Sequence, residues 1–214
     1  GTPITWKDFE STWKVQSGKS DKFTPALTTG YDQIKSVTKG DTDQIFGPAE
    51  WTRDGSALIY PANMREGRDN MGREMDLWKI PASGGTAVQL TSTKGIETDP
   101  QLSPDGGTLA YTGTLDTPGF YAQDDLWVMP AGGGAAVNLT KALDRPIMHY
   151  SWADDGRGLY AQYNDAGLTR VAYVPKSGLK SAADARIVIP EVGGTRLSLP
   201  SSGGAFSYSG GTFA

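Results

Sequence analysis

Cysteine is absent from the 214 residues, and histidine occurs once, at His149. Without thiols the chain has no disulfide framework and no thiolate metal site. A lone histidine falls short of the usual ligand set for zinc or a transition metal, so neither a metal nor another cofactor is expected. A basic balance is missing as well: 20 Lys and Arg stand against 24 Asp and Glu, a net charge of -4. Nucleic acid is disfavoured as a partner, because phosphates call for a basic footprint. No run of 18 apolar residues occurs, so membrane insertion is not expected. No leader is visible; the reading is a soluble domain, with cytoplasmic and periplasmic or secreted compartments both open. Helical periodicity sustained over ten or more residues is also hard to find.

What the chain has instead is turns and repeats, with 28 glycines and 13 prolines. The segment 101–113, QLSPDGGTLAYTG, reads as strand, tight turn, strand, since Asp-Gly and Gly-Gly supply the positive φ of hairpins. Trp51 to Tyr60 matches Leu102 to Tyr111, and Trp152 to Tyr160 matches them with one residue fewer. Ser207 to Ala214, SYSGGTFA, echoes Ser103 to Ala110, SPDGGTLA. Downstream, Asp76-Leu77-Trp78 returns as Asp125-Leu126-Trp127, with the weaker RVAYVPKSG (170–178) in the third slot. Gly84-Gly85 followed by AVQLT, ending at Thr91, returns as Gly133-Gly134 followed by AVNLT, ending at Thr140. A period of roughly 50 residues falls in the range of propellers and solenoids. Four short strands fit each unit, which gives an all-β fold, a β-propeller of four-stranded antiparallel blades.

The pattern divides the chain into residues 1–45 (outer strands of a preceding blade plus a connection), blades at 46–91, 92–140 and 141–190, and the first strands of a further blade at 191–214. About four blades are represented. Two readings of the ends compete: closure of a small ring by the terminal strands, or part of a propeller of seven or eight blades. The second is the expectation here.

LSPDGGTLAYTG followed by DLWVMPAGGGAAVNLT resembles the repeat of TolB-type propellers and of the propeller domains in the prolyl oligopeptidase family of serine peptidases, with its dipeptidyl and acylaminoacyl peptidases. The match covers residues 46–178 best. The stretch 40–85 is similar to a peptidase blade with a long charged loop between its second and third strands. The resemblance implies a propeller that gates and positions peptide substrates for an α/β-hydrolase domain of the same protein, C-terminal to this sequence. The alternative is a non-catalytic TolB-like propeller that binds a protein or peptide. A polysaccharide lyase is disfavoured, since the lyases this repeat resembles use several histidines and a metal.

No Gly-x-Ser-x-Gly elbow occurs in the chain, so no residue is assigned a catalytic role. Asp54, Asp105 and Asp155 read as turn caps that bond nearby amides, and Trp78 and Trp127 as blade packing. In a four-stranded meander the short Asp-Gly and Gly-Gly turns share one end, and the long connections 61–75, 91–99, 114–124 and 140–146 share the other. Irregular charged loops on a rigid scaffold are where binding groups usually sit. Arg65, Glu66, Arg68, Asp69, Arg73 and Glu74 form the densest cluster and are candidates for contact with substrate or partner. A solvated charged loop is the plainer reading. His149 opens an innermost strand, where it is either a substrate contact or a packed or hydrogen-bonded residue of the central channel.

Overall fold

A computed structural model describes residues 43–44, 48–66, 74–115, 123–191, 197–198 and 207–208. Three antiparallel sheets succeed one another along the chain. The first holds β1 (Asp43–Gln44), β2 (Glu50–Trp51), β3 (Ala57–Asn63), β4 (Asp76–Pro81) and β5 (Val88–Gln89). The second holds β6 (Gly95–Leu102), β7 (Thr108–Leu115), β8 (Asp125–Pro130) and β9 (Val137–Asn138). The third holds β10 (Ile147–Trp152), β11 (Gly158–Asp165), β12 (Leu168–Pro175) and β13 (Arg186–Ile189), preceded by a 3-10 turn at Ala182–Asp184. Two short strands, β14 (Leu197–Ser198) and β15 (Ser207–Tyr208), pair with each other. In each four-stranded sheet neighbours in sequence are neighbours in space. This is the meander of a propeller blade, and the fold is an all-β propeller assembly.

The inner hairpin of each blade is closed by the same chemistry. Asp54 Oδ1 accepts from Ser56 N at 3.0 Å, Asp105 Oδ1 from Gly107 N at 2.9 Å, and Asp155 Oδ1 from Arg157 N at 3.0 Å. The glycines that follow take positive φ, 68°, 72° and 63° at Gly55, Gly106 and Gly156, a region glycine enters without steric cost. Thr52 N, Ser103 N and Ala153 N each donate to the carbonyl five residues on, Ala57, Thr108 and Gly158. The third turn is therefore the same length as the others, which corrects the reading of one residue fewer. In this register Tyr160 stands where the other blades have Ile59 and Ala110. An apolar-for-aromatic exchange on one strand face had mimicked a deletion.

The inner strands are irregular midway. In the first blade the innermost position is shared by β1 and β2, so the sheet reaches back to Asp43, ahead of residue 46. Pro61, with no N–H for the ladder, stands between the part of β3 that pairs with β2 and the part that pairs with β1. In the second, the β6 to β7 register shifts between Thr98 and Gln101, with Asp99 at φ 55°. In the third it shifts between Ile147 and His149. Such bulges bend a strand and re-aim its side chains.

The core lies between blades. Ile59 and Leu77 of the first pack with Leu102, Leu109, Tyr111 and Met129 of the second. Ala110, Leu126 and Val128 of the second pack with Tyr150, Trp152, Leu159 and Val174 of the third. Polar bonds at the repeat distance fix the stacking. Arg53 donates to the carbonyls of Leu102 (2.5 Å) and Ser103 (3.1 Å), Gln101 donates to Tyr150 O (3.1 Å), and Trp152 Nε1 donates to Gln101 O (3.1 Å).

Candidate functional site

The end of the blades that carries the long connections is organised by side chains that each repeat supplies from the same two motifs. Leu77 N donates to Thr91 Oγ1 at 2.8 Å, and Leu126 N to Thr140 Oγ1 at 2.9 Å. Gln89 Nε2 donates to Asp76 at 3.1 Å, and Asn138 Nδ2 to Asp125 at 2.7 Å. The Asp of Asp-Leu-Trp thus ties the third strand to the outermost one. The tryptophans do what packing residues do: Trp78 Nε1 donates to Ala62 O at 3.1 Å and Trp127 Nε1 to Gly113 O at 3.2 Å. In the third blade Arg170 takes the place of the aspartate and pairs with Asp165 at 2.8 Å, which Arg145 also reaches at 3.2 Å.

On this pattern the first blade builds something more. Arg65, on the connection that leaves β3, holds the fully buried Asp76 with two bonds, Nε to Oδ2 at 2.8 Å and Nη2 to Oδ1 at 2.7 Å. Its Nη1 donates to Glu74, and its Nη2 also donates to Thr93 O at 2.7 Å. Such planar, bidentate pairing is what guanidinium does best. The backbone follows: Met75 N donates to Gly95 O at 2.9 Å and Glu97 N to Met75 O at 2.8 Å. The end of the long connection is therefore stitched in parallel to the start of the next blade's innermost strand.

Glu97, beside this clasp, is 4% exposed and accepts from Thr91 Oγ1 at 3.1 Å. Burial, aided by the charge of Asp76, pushes its carboxyl up to about 8. Sequence reading missed both Asp76 and Glu97. The former carries a detectable signal in the recurring Asp-Leu-Trp; the latter has none, because it breaks its own repeat pattern.

Of the residues singled out from sequence, Arg65 and Glu74 come together in the clasp, each turned to a partner within the protein. Glu66 ends the described part of the connection, and Arg68, Asp69 and Arg73 lie outside the described residues. His149 lies on β10 opposite Gln162 of β11, its side chain exposed beside Met148, which is 41% exposed. It lies in the field of Asp99, whose carboxyl is raised by burial against the pull of the His149 charge. Asp99 in turn raises Glu50 on β2, where burial is the larger cause. Glu50, Asp99 and His149, one from each blade's innermost strand, therefore share one electrostatic neighbourhood along the inner edge. Asp99 holds φ 55° immediately before Pro100, a position where helical conformations are disfavoured, and Tyr150 donates its hydroxyl to the Asp99 carbonyl.

A third feature sits at the short-turn end of the last complete sheet. Asp154, Asp155, Arg157, Tyr160, Tyr173 and Arg186 line an open groove of about 690 Å³. Tyr160 and Tyr173 meet edge to face at 5.7 Å, and Arg186 covers the Tyr173 ring at 4.9 Å. Among the described residues no group of three or more His, Cys, Asp or Glu could hold a metal ion. None of their helices is long and apolar enough to cross a membrane.

No family model matches the chain. Over 81 residues it is 30% identical to the Tol-Pal system protein TolB of Francisella tularensis subsp. tularensis (strain WY96-3418), a match covering 38% of this chain and 17% of the relative. The chain thus spans less than a fifth of the curated relatives it matches. Among solved structures it is similar to a putative TolB from Agrobacterium tumefaciens: TM-score 0.54, 19% identity, 72% of this chain and 51% of the other. A puromycin-hydrolyzing peptidase of Mycobacterium tuberculosis gives 0.57 at 16% identity, over 83% of this chain and 27% of the other. An oligogalacturonate lyase from Vibrio parahaemolyticus gives 0.57 at 12% identity, over 76% and 46%. The class is a propeller assembly similar to TolB, and the same blades serve proteins of different chemistry.

Proposed function

We propose that this chain binds extended peptide through the end that carries its long connections, and that it does so as the propeller portion of a serine peptidase. In that role it gates and positions substrate for an α/β-hydrolase domain outside this sequence. The observation that carries the binding reading is the Arg65 clasp. It fixes the root of the longest charged connection to two blades at once, which is what a binding loop on a rigid scaffold needs. The likeness to the puromycin-hydrolyzing peptidase, over 83% of this chain, supports the peptidase branch.

A second reading, a non-catalytic propeller that docks a protein partner, is favoured by the 81-residue match to the Tol-Pal system protein. The two differ in one assay. A longer protein containing these blades hydrolyses dipeptidyl or acylaminoacyl substrates under the first reading and loses that activity when its nucleophilic serine is replaced. Under the second reading no hydrolysis is found, and the chain retains a protein from its own periplasm or cytoplasm. Absence of both activities would overturn both readings.

A further inference from the structure

The junction of residues 74–75, just ahead of β4, with the second blade is built around a carboxyl group where the next repeat has a hydrocarbon. Glu97 N donates to Met75 O at 2.8 Å, and Ile147 N donates to Asp124 O at 2.8 Å; the two residues hold equivalent places. Ile147 belongs to the core between blades. The groups facing Glu97 are Asp76 of β4, Arg65 and Glu74 of the connection, Thr91 beyond β5 and Tyr111 of β7. Every nitrogen of Arg65 is directed elsewhere, to Asp76, Glu74 and the Thr93 carbonyl. The hydrogen bond Glu97 receives among the described residues comes from the Thr91 hydroxyl. In the second blade the equivalent Thr140 hydroxyl turns to its own Asp125 at 3.4 Å.

The site thus already holds two other carboxylates and one guanidinium that they share. A third negative charge buried there without its own cation is costly, whereas a neutral acid is not. We propose that Glu97 is a proton-operated latch: as a neutral acid it lets Glu74 and Met75 pair with the start of β6, and on ionising it drives the two segments apart. This rests on the reading of the long-connection end as the binding face, whose presentation the latch would control. The value of about 8 for the closed form puts its operation near neutrality.

Linkage gives the sign. The closed form keeps its proton up to about pH 8, while an opened, hydrated carboxyl loses it near the ordinary 4.5. Opening is therefore favoured by up to about tenfold per pH unit between those values and levels off above the higher one. The test is amide hydrogen exchange at Met75 and Glu97 in the full chain, from about pH 5 to about pH 9, corrected for the intrinsic rate. Wild type is expected to lose protection with that slope and plateau, and Glu97→Gln, which keeps the acceptor for Thr91, to stay flat. A flat wild type, or an equal slope in the variant, overturns the latch. Should the variant not fold, a carbon-13 titration of the Glu97 carboxyl decides: a midpoint near 4.5 overturns it, and one near 8 supports it. Peptide binding measured separately keeps the two ideas apart. Binding with pH-independent exchange ends the latch alone, and a latch without binding ends the reading of the face alone.

Discussion

At the scale of single residues the repeat is held by positions with one job each. Gly106 has φ 72°, and a Cβ there would come within 2.9 Å of Arg53 Cγ across the blade boundary. Gly106→Ala is expected to cost roughly 1–3 kcal/mol, read as a shift of the urea midpoint. Gln162 is fully buried, and neither atom of its amide has a hydrogen-bond partner among the described residues. An unpaired buried amide costs stability, so Gln162→Met, of similar volume, should leave the unfolding free energy unchanged or raise it by about 1 kcal/mol; a clear loss would show a partner. Glu97 sets a pH signature. Its folded-state value lies above its ordinary one, so between about 4.5 and about 8 the folded protein keeps a proton the unfolded chain has lost. The contribution of this group to stability falls as pH rises through that window. The melting temperature of Glu97→Gln should draw ahead of wild type from acid toward pH 8 and hold a constant lead beyond; a lead already full at low pH would contradict this.

At the scale of elements the informative unit is the end of a connection rather than a strand. Arg65 lets β4 begin with a fully buried aspartate while binding the loop to the next blade. Truncating one partner of a buried ion pair strands the other charge, so Arg65→Met is expected to cost about 3 kcal/mol. Combining it with Asp76→Asn should recover much of that loss, and a double mutant as weak as the sum of its parts would show that the two do not interact. Strand boundaries come from turn chemistry that is legible residue by residue: Asp54, Asp105 and Asp155 were identifiable as caps because Asp before Gly has one good use in a hairpin. The clasp was legible only in half. Arg65 and Glu74 belong to a visibly charged loop, but their partner Asp76 sits in a motif that reads as packing, and only the pairing of β3 with β4 brings the three together.

At the scale of the molecule the blades stack through shared apolar faces and through bonds that recur at the repeat distance. Trp152 Nε1 reaches the carbonyl of Gln101 in the preceding blade, while Trp51, its counterpart in the first, is 50% exposed. Trp152→Phe keeps the ring packing and removes the bond, and is expected to cost about 1 kcal/mol. The same change at Trp51 should cost less when the two variants are compared by urea unfolding. The inner edge, with Glu50, Asp99 and His149, depends on neighbouring blades, whereas the groove at Tyr160 and Tyr173 is lined by the third blade. The former is a property of assembly, the latter of a single repeat.

By itself the sequence determined the period, the hairpins and the all-β propeller class, because turn residues and strand alternation act over a few residues and recur about every 50. It also marked the charged connection at 61–75. Only the tertiary structure decided which charges meet. Asp76 is buried because the Arg65 guanidinium folds back across eleven residues, and Glu97 is buried because it occupies the place that Ile147 fills one blade later. Burial and electrostatic neighbourhood depend on contacts within and between blades, and those contacts join residues that no local pattern connects.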